Sequence, residues 1–185
     1  SGAQIIDGGL RFDSGKSQYL SRTPGSAGNR TTWTWSGWIK RTKIGDARFE
    51  IFTAGADGTE FFFEQSVNAD TLHFYYYSGS YQGQCRTTSV FRDTSAWYHV
   101  VLSVDTTQGT TTNRCKIYVN GVQQPTTFAT NFGSSASLDI NNTTEHRIAR
   151  YGGGSSYPGD FYLSNIYFID GQALDPSYFG FTDPL

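Results

Sequence analysis

Residues 94–121 read TSAWYHVVLSVDTTQGTTTNRCKIYVNG, and the alternation inside this stretch decides the fold class. Tyr98, Val100, Leu102 and Val104 fall on one face, and Trp97, His99, Val101 and Ser103 on the other. A period of two is the side-chain period of a β-strand. Residues 105–113 hold five Thr and one Gly and no large apolar side chain, so they read as a polar loop. Cys115, Ile117 and Val119 then share a face opposite Lys116 and Tyr118. Asn120-Gly121 closes the second strand with a dipeptide that tolerates positive φ. The stretch is an antiparallel pair.

The same pattern fills the chain on both sides. In Thr31 to Lys40 (TTWTWSGWIK), Trp33, Trp35, Gly37 and Ile39 share one face, and Trp38 shares the other with Lys40. Two indoles and an Ile in register read as core, since exposing them would forfeit roughly 2–3 kcal/mol each. Trp38 is then the candidate for an exposed aromatic platform. Phe49 to Ala54, Thr59 to Gln65 and Thr71 to Tyr77 read as further strands. In the last of these, Leu72, Phe74 and Tyr76 alternate with His73, Tyr75 and Tyr77, which gives one apolar face and one of hydroxyls and an imidazole. Ser78 to Gly83 is expected to turn the chain into a strand from Gln84 to Val90. Ile5-Ile6 and Leu10 to Phe12 make the expected first strand, continued at Gln18 to Ser21, and Arg22 to Arg30 is a polar loop.

After Gly121, Val122 to Pro125 reads as a short tail and Thr126 to Ser137 as a loop of small residues. Short strands are expected at Leu138 to Ile140 and Glu145 to Ala149. Tyr151 to Gly159 (YGGGSSYPG) is a Gly-rich loop, but no Lys-Ser/Thr and no helix follow it, so it is not a phosphate loop. Phe161 to Ile169 is the longest apolar run and reads as a strand buried on both faces. Asp175-Pro176 starts a single turn of helix, with Asp as the cap and Pro in the first turn.

Composition agrees with an all-β chain of 185 residues forming one domain, residues 1–185. Charged residues are 16%, below the usual level of about 25%, aromatics are 16% and Gly numbers 21. The net charge of −2 offers no basic footprint, which argues against a nucleic-acid partner. No apolar run approaches the ~20 residues that span a bilayer, and the N-terminal stretch does not read as a signal peptide. The chain lacks Met and starts Ser-Gly-Ala, which reads as a tag remnant or as a module of a longer protein. Cys85 and Cys115 are expected as free, apolar-like thiols; the other reading is a cross-strand disulfide, which needs Cα atoms within about 7 Å.

Three segments resemble a known family in its own order. Trp97-Tyr98-His99-Val100-Val101, a polar loop, then Lys116-Ile117-Tyr118-Val119-Asn120-Gly121 is similar to the W-x-H-V … K-x-Y-V-N-G hairpin of laminin-G-like domains, in the concanavalin A-like lectin/glucanase superfamily. Thr34 to Lys40 resembles the family's early T-I-S-x-W-V-K strand, and Ile166 to Leu174 its closing strand and turn. Phe91 to His99 (FRDTSAWYH) and Phe168 to Ser177 (FIDGQALDPS) resemble copies carried by virion proteins of tailed phages, many of them marine. The resemblance implies a jelly-roll sandwich of two antiparallel sheets, with first and last strands adjacent. Where closing strands of the family often read I-D-E-V, this chain has Leu163, Ser164, Asn165 and Ile166. The missing acidic pair removes the basis for a calcium ion of the kind some relatives hold.

The chemistry-bearing residues point to binding. Glucanases of the superfamily carry E-x-D-x-x-E on one strand, where alternation brings acid and nucleophile to one face. No such motif is present. Glu60 and Glu64 flank Phe62, Glu50 stands alone in FEIF, and these are expected as edge or solvated residues. His73, His99 and His146 are far apart, and His99 reads as a hydrogen-bonded sheet residue. Asp139, Asn141, Asn142 and Glu145 offer oxygen atoms that suit calcium, but the cluster reads as turn chemistry. The expectation is therefore no catalytic residues, no metal and no cofactor.

The ligand-binding candidates are Tyr77, Tyr81, Tyr157 and Trp38, rings with small or polar neighbours of the kind that stack on sugars or fill interfaces. The resemblance implies a non-catalytic binding or adhesion module of a phage virion, with a cell-surface glycan and other virion proteins as partners. A structural virion subunit, whose aromatic face packs on neighbours or on further copies in a homo-oligomer, fits the same rings. A glycan-active enzyme without a recognisable motif is the third reading.

Overall fold

The computed structural model describes residue 6, residues 8–45 and residues 47–180. The expected strand residue Ile5 lies outside them. Thirteen strands follow one another: β1 Leu10–Phe12, β2 Leu20–Arg22, β3 Thr32–Arg41, β4 Phe49–Ala54, β5 Thr59–Phe63, β6 Leu72–Tyr77 and β7 Tyr81–Thr87. The rest are β8 Tyr98–Asp105, β9 Cys115–Val119, β10 Val122–Gln123, β11 Thr126–Thr130, β12 His146–Ile148 and β13 Phe161–Asp170. They form two antiparallel sheets, a six-stranded one ordered β1-β13-β3-β8-β9-β10 and a seven-stranded one ordered β11-β7-β6-β5-β4-β12-β2. The first and last strands pair, with Leu10 opposite Leu163, as the resemblance implied.

The core lies between the sheets. Trp33, Trp35, Ile39, Val100, Leu102, Val104 and Ile117 face it from one sheet, and Ile51, Phe61, Phe63, Leu72 and Phe74 from the other. The indole of Trp33 meets Phe74 edge-on at 5.6 Å, and that of Trp35 meets Phe61 at 5.7 Å. Gly37 leaves room for the Trp35 ring, whose Cη2 would stand 2.8 Å from an added Cβ. The hairpin that organises the sequence is β8–β9, in register from Val100 opposite Val119 to Val104 opposite Cys115. Asn120 and Gly121 both take positive φ, 51° and 82°, and turn β9 into β10.

Several expectations need correction. Gln18 to Ser21 does not continue the first strand, because β1 pairs with β13 in one sheet and β2 with β12 in the other. Residues 126–130 are a strand, because β11 pairs with the outer edge of β7. Leu138 and Ile140 are fully buried but form no strand; the backbone bends there, with Leu138 N–H donating to the Arg30 carbonyl and Asn142 N–H to that of Asp139. β13 is buried on one face only, since Tyr162 and Tyr167 stand outward at 36% and 51% exposure. Tyr81 belongs to no turn; it opens β7 opposite Tyr77, across a local shift in register. The turn after Asp175 is 3-10, Pro176–Phe179, with the Asp175 carboxylate accepting from Ser177 N–H. Both cysteines are buried and free, Cys85 on the seven-stranded sheet and Cys115 on the six-stranded one.

Candidate functional site

Alternation sends every second residue of β5, β6 and β7 to the outer face of the seven-stranded sheet. Register then aligns them. Glu50 on β4 lies opposite Phe62, Phe62 opposite His73, and His73 opposite Arg86. One row along, Glu60 lies opposite Tyr75, and Tyr75 opposite Gln84. These side chains border a cleft of about 330 Å³, lined by Arg48, Phe62, Glu64, His73, Tyr75, Tyr81 and Arg86 together with Asn68, Gln84, Thr127 and Ala129.

Arg48, immediately before β4, organises the floor. Its guanidinium lies over the Phe62 ring at 3.6 Å and beneath Tyr157 at 4.8 Å. Its Nε donates to Glu50 at 2.6 Å, and its Nη2 bonds Glu60 and donates to the Tyr75 hydroxyl at 3.2 Å. Stacking on a ring while donating to two carboxylates from separate nitrogens is what a guanidinium does and an ammonium does not. The carboxylates expected at an edge or in solvent are therefore deeply buried, Glu50 at 0% and Glu60 at 1% exposure. Burial pushes the Glu50 carboxyl up to about 8, against the pull of Arg48. One oxygen of each, Glu50 Oε2 and Glu60 Oε1, is buried without a partner.

Glu64 sits higher on the same face. Its Oε2 is 2.8 Å from His73 Nδ1, and its other oxygen accepts from Gln65 N–H at 2.9 Å. Burial opposes its charge, but these hydrogen bonds win and hold the carboxyl below its ordinary value. Burial also lifts the Tyr75 phenol above its usual range.

The structure brings together two of the four candidate binding residues. Tyr81, 49% exposed, stands edge-on to Tyr77 at 5.4 Å and to Tyr75 at 5.3 Å. Tyr157 lies on the far side of Arg48, edge-on to Tyr151 at 5.8 Å, at the rim of an adjoining hollow that also contains Arg48 and Phe49. Its φ of 52° places the Gly-rich loop in the left-handed region at that ring. Trp38 belongs elsewhere. It is half-buried on the outer face of the six-stranded sheet, 5.0 Å from the His99 ring.

His99 is a sheet residue as expected. It lies 3.0 Å from the Ser36 hydroxyl, and the 3-10 turn packs Phe179 against it at 6.2 Å. Burial lowers its pKa to about 4. The Asp/Asn loop is turn chemistry. Asn141 takes a positive φ and donates to Asp170 at 2.6 Å, while Glu145 pairs with Arg147 at 2.6 Å. A second hollow of about 450 Å³ opens beside it, between β2, β12 and the end of β13. Its His146 already uses both ring nitrogens within the chain, on Asn141 N–H and the Thr144 carbonyl.

Arg48, Arg86 and the burial of Glu50 and Glu60 escaped sequence reading. The signal was present as spacing: Glu60-x-Phe62-x-Glu64, His73-x-Tyr75-x-Tyr77 and Gln84-x-Arg86 each send one set to one face. What was missing was the register that sets these rows side by side.

Comparison with known proteins bears on this architecture. The binding domain of botulinum neurotoxin DC, solved with rat synaptotagmin II, superposes with a TM-score of 0.59 at 13% identity, covering 86% of this chain and 38% of that one. Botulinum neurotoxin type C, whose uptake by cells depends on two ganglioside molecules, gives 0.55 at 14% identity, covering 82% and 35%. The heptameric SAP-like pentraxin of Limulus polyphemus gives 0.55 at 15%, covering 81% and 68%. The chain thus spans little more than a third of the toxin chains it matches. At these identities the likeness shows the fold. No curated protein matches the sequence. The family model Laminin_G_3, described as concanavalin A-like lectin/glucanases superfamily, matches residues 13–172. With that match over most of its length, and with its two-sheet sandwich, the chain belongs to the Laminin_G_3 family of the concanavalin A-like lectin/glucanases superfamily.

Proposed function

We propose that the protein is a non-catalytic glycan-binding module and that its site is the cleft on the outer face of the seven-stranded sheet. The carrying observation is the cleft's composition: an exposed ring, Tyr81, braced by Tyr75 and Tyr77 and flanked by the neutral hydrogen-bonding groups of Asn68, Gln84 and Thr127. A volume of about 330 Å³ is at the small end of ligand sites, roughly 300–1,000 Å³. It suits a single sugar unit at a chain end better than a long polymer. The ganglioside dependence of botulinum neurotoxin type C, a protein with the same fold, is in keeping with glycan recognition.

The non-catalytic part rests on the state of the carboxylates. Glycoside hydrolysis needs two that reach the scissile bond from either side. Here Glu50 and Glu60 are covered by Arg48, and Glu64 is tied to His73. The resemblance of residues 91–99 and 168–177 to phage virion copies places the module, in this reading, on a phage particle, where it contacts a host-surface glycan. A glycan array and a host-cell adhesion assay test it. Tyr81→Ala should lower binding at least ten-fold, and Tyr77→Ala and Tyr157→Ala by less. Release of reducing sugar, abolished by Glu64→Gln, would overturn the non-catalytic part.

A second reading has its own observation. The outer face of the six-stranded sheet carries Tyr162, Tyr167 and Tyr178, which are 36%, 51% and 68% exposed, together with the half-buried Trp38. Rings so placed fit a structural subunit packed against other virion proteins or further copies of itself. A folded wild type that binds no glycan yet self-associates, with Tyr167→Ser weakening the assembly in sedimentation, would favour that role.

A further inference from the structure

We infer that the cleft selects acidic sugars, with the carboxylate of the ligand held by Arg86. This rests on the glycan-binding reading of the same cleft and adds the class of ligand. Apart from the phenols of Tyr75 and Tyr81, four charged or titratable side chains line the cleft, and three are committed. Arg48 is held by Glu50 and Glu60, and Glu64 and His73 hold each other. The Arg86 guanidinium has neither an ion pair nor a hydrogen bond with the other described residues.

That state is unusual within this chain. Every other arginine that is buried or half-buried among the described residues is engaged. Arg11 meets Asp160, Arg41 meets Asp70, and Arg30, Arg114 and Arg150 donate to backbone carbonyls. Arg147 bonds Glu145 and the carbonyls of its neighbouring loop. Arg86, half-buried, is the exception, and it faces a cleft. A guanidinium in this position presents paired donors matched to a carboxylate.

The surroundings fix how an acidic sugar would lie. Arg86 is in direct cross-strand register with His73, and Gln84 lies two residues before it on the same face. Tyr81 stands farther along the same strand, on the cleft wall. A sugar ring against Tyr81 thus directs its carboxylate along β7 toward Arg86, and its hydroxyls toward Gln84, Asn68 and Thr127. Glu64, on the same wall, makes its hydrogen bonds with His73 and Gln65 N–H and none with Arg86.

The test is titration calorimetry of the folded protein with three probes: lactose, sialyllactose and a glucuronate-terminated oligosaccharide. A charge-assisted, bidentate contact is worth about ten-fold or more in affinity. Wild type should bind one or both acidic probes at least ten-fold more tightly than lactose, and the preference should shrink in 0.5 M NaCl. Arg86→Gln should abolish the preference by weakening the acidic probes at least ten-fold relative to lactose, while Arg86→Lys should restore part of it. Because the Arg86 guanidinium bonds nothing in the fold, the urea midpoints of both variants should match wild type. Equal affinity for neutral and acidic probes in wild type, or a preference that survives Arg86→Gln, overturns the inference and leaves the glycan-binding reading standing. Failure to bind any of the three probes, with no hit across a wider array, overturns both. The two acidic probes separate a sialic acid from a uronic acid as the source of the carboxylate.

Discussion

Glu50→Gln should remove a pH dependence that a buried carboxyl imposes on the whole fold. Glu50 is fully buried beside Arg48, and burial raises its pKa from the ordinary 4.5 to about 8. Below about pH 4.5 the carboxyl is neutral in both folded and unfolded chains, and it contributes its full share to stability. As pH rises from 4.5 toward 8, the unfolded chain ionises while the folded one holds its proton, so stability falls. At about 1.4 kcal/mol per pH unit, the loss over that interval is about 3–5 kcal/mol.

Gln has the same shape, keeps an oxygen for Arg48 Nε to donate to, and does not titrate. The difference in unfolding free energy between wild type and Glu50→Gln should therefore move by about 3–5 kcal/mol between pH 4.5 and 8 in favour of the variant. His99 and His146 act in the opposite sense. Burial lowers the pKa of both, so each favours the fold more as pH rises. Both proteins carry them, and the difference cancels them. Urea unfolding of the two proteins at half-unit pH steps measures it. A difference that stays flat with pH would mean that Glu50 is ionised throughout, with the attraction of Arg48 outweighing burial.

Three further outcomes follow from the core. Trp35→Ala, at a residue 1% exposed and packed on Phe61, should cost about 3–5 kcal/mol in urea unfolding; a loss under ~1 kcal/mol would mean the indole faces outward. Gly83→Ala would push a methyl into Phe132, which is 1% exposed and stacked on Phe74 at 5.4 Å, so it cannot yield; it should cost about 1–3 kcal/mol, and no change in urea midpoint would show that the ring moves. The cysteines should give two reactive thiols in denatured, unreduced protein and none in the folded state, where both are buried and burial raises the Cys115 thiol; a mass two protons low would show a disulfide instead.

Most strands were legible because their residues alternate between water and core. FEIFTA and TLHFYYY needed no partner to be read, and the observed bounds fall within a residue or so of those expected. β11 was hidden because TTFAT has one large apolar residue, Phe128, and that is only half-buried. Its strand character comes from the edge of β7, not from its own composition. Leu138 and Ile140 misled in the opposite way. They are two apolar plugs at 0% exposure on a backbone whose hydrogen bonds go to turns. In β13 the tyrosines read as apolar mass, but the register shift between Ser164 and Tyr167, with Asn165 at a φ of 48°, leaves Tyr162 and Tyr167 facing water. For the site, single strands showed which side chains share a face. Which rows become neighbours depends on register, and register was beyond reach.

Arg48 is where this matters most for function. Glu50 and Glu60 on adjacent strands, with Glu64 just past the end of β5, are the raw material of a hydrolase. Glu50 holds its proton up to about pH 8, and like charge on the remaining carboxylates would repel across the face without a cation. The guanidinium of Arg48 removes that repulsion. It pairs with two of the three, is stacked between Phe62 and Tyr157, and places its own bulk between them and the cleft. The carboxylates thereby become the anchor of a rigid floor, and the groups left facing the cleft are rings, amides, a hydroxyl and the uncommitted Arg86. Such a floor holds Tyr75 in place through its hydroxyl, and Tyr75 in turn braces Tyr81. In the proposed reading, then, the buried charges act on binding at one remove. Arg48→Gln should loosen Tyr81 and weaken glycan binding without exposing a reactive acid, whereas the gain of any hydrolytic activity in that variant would show that the carboxylates had been catalytic groups held in check.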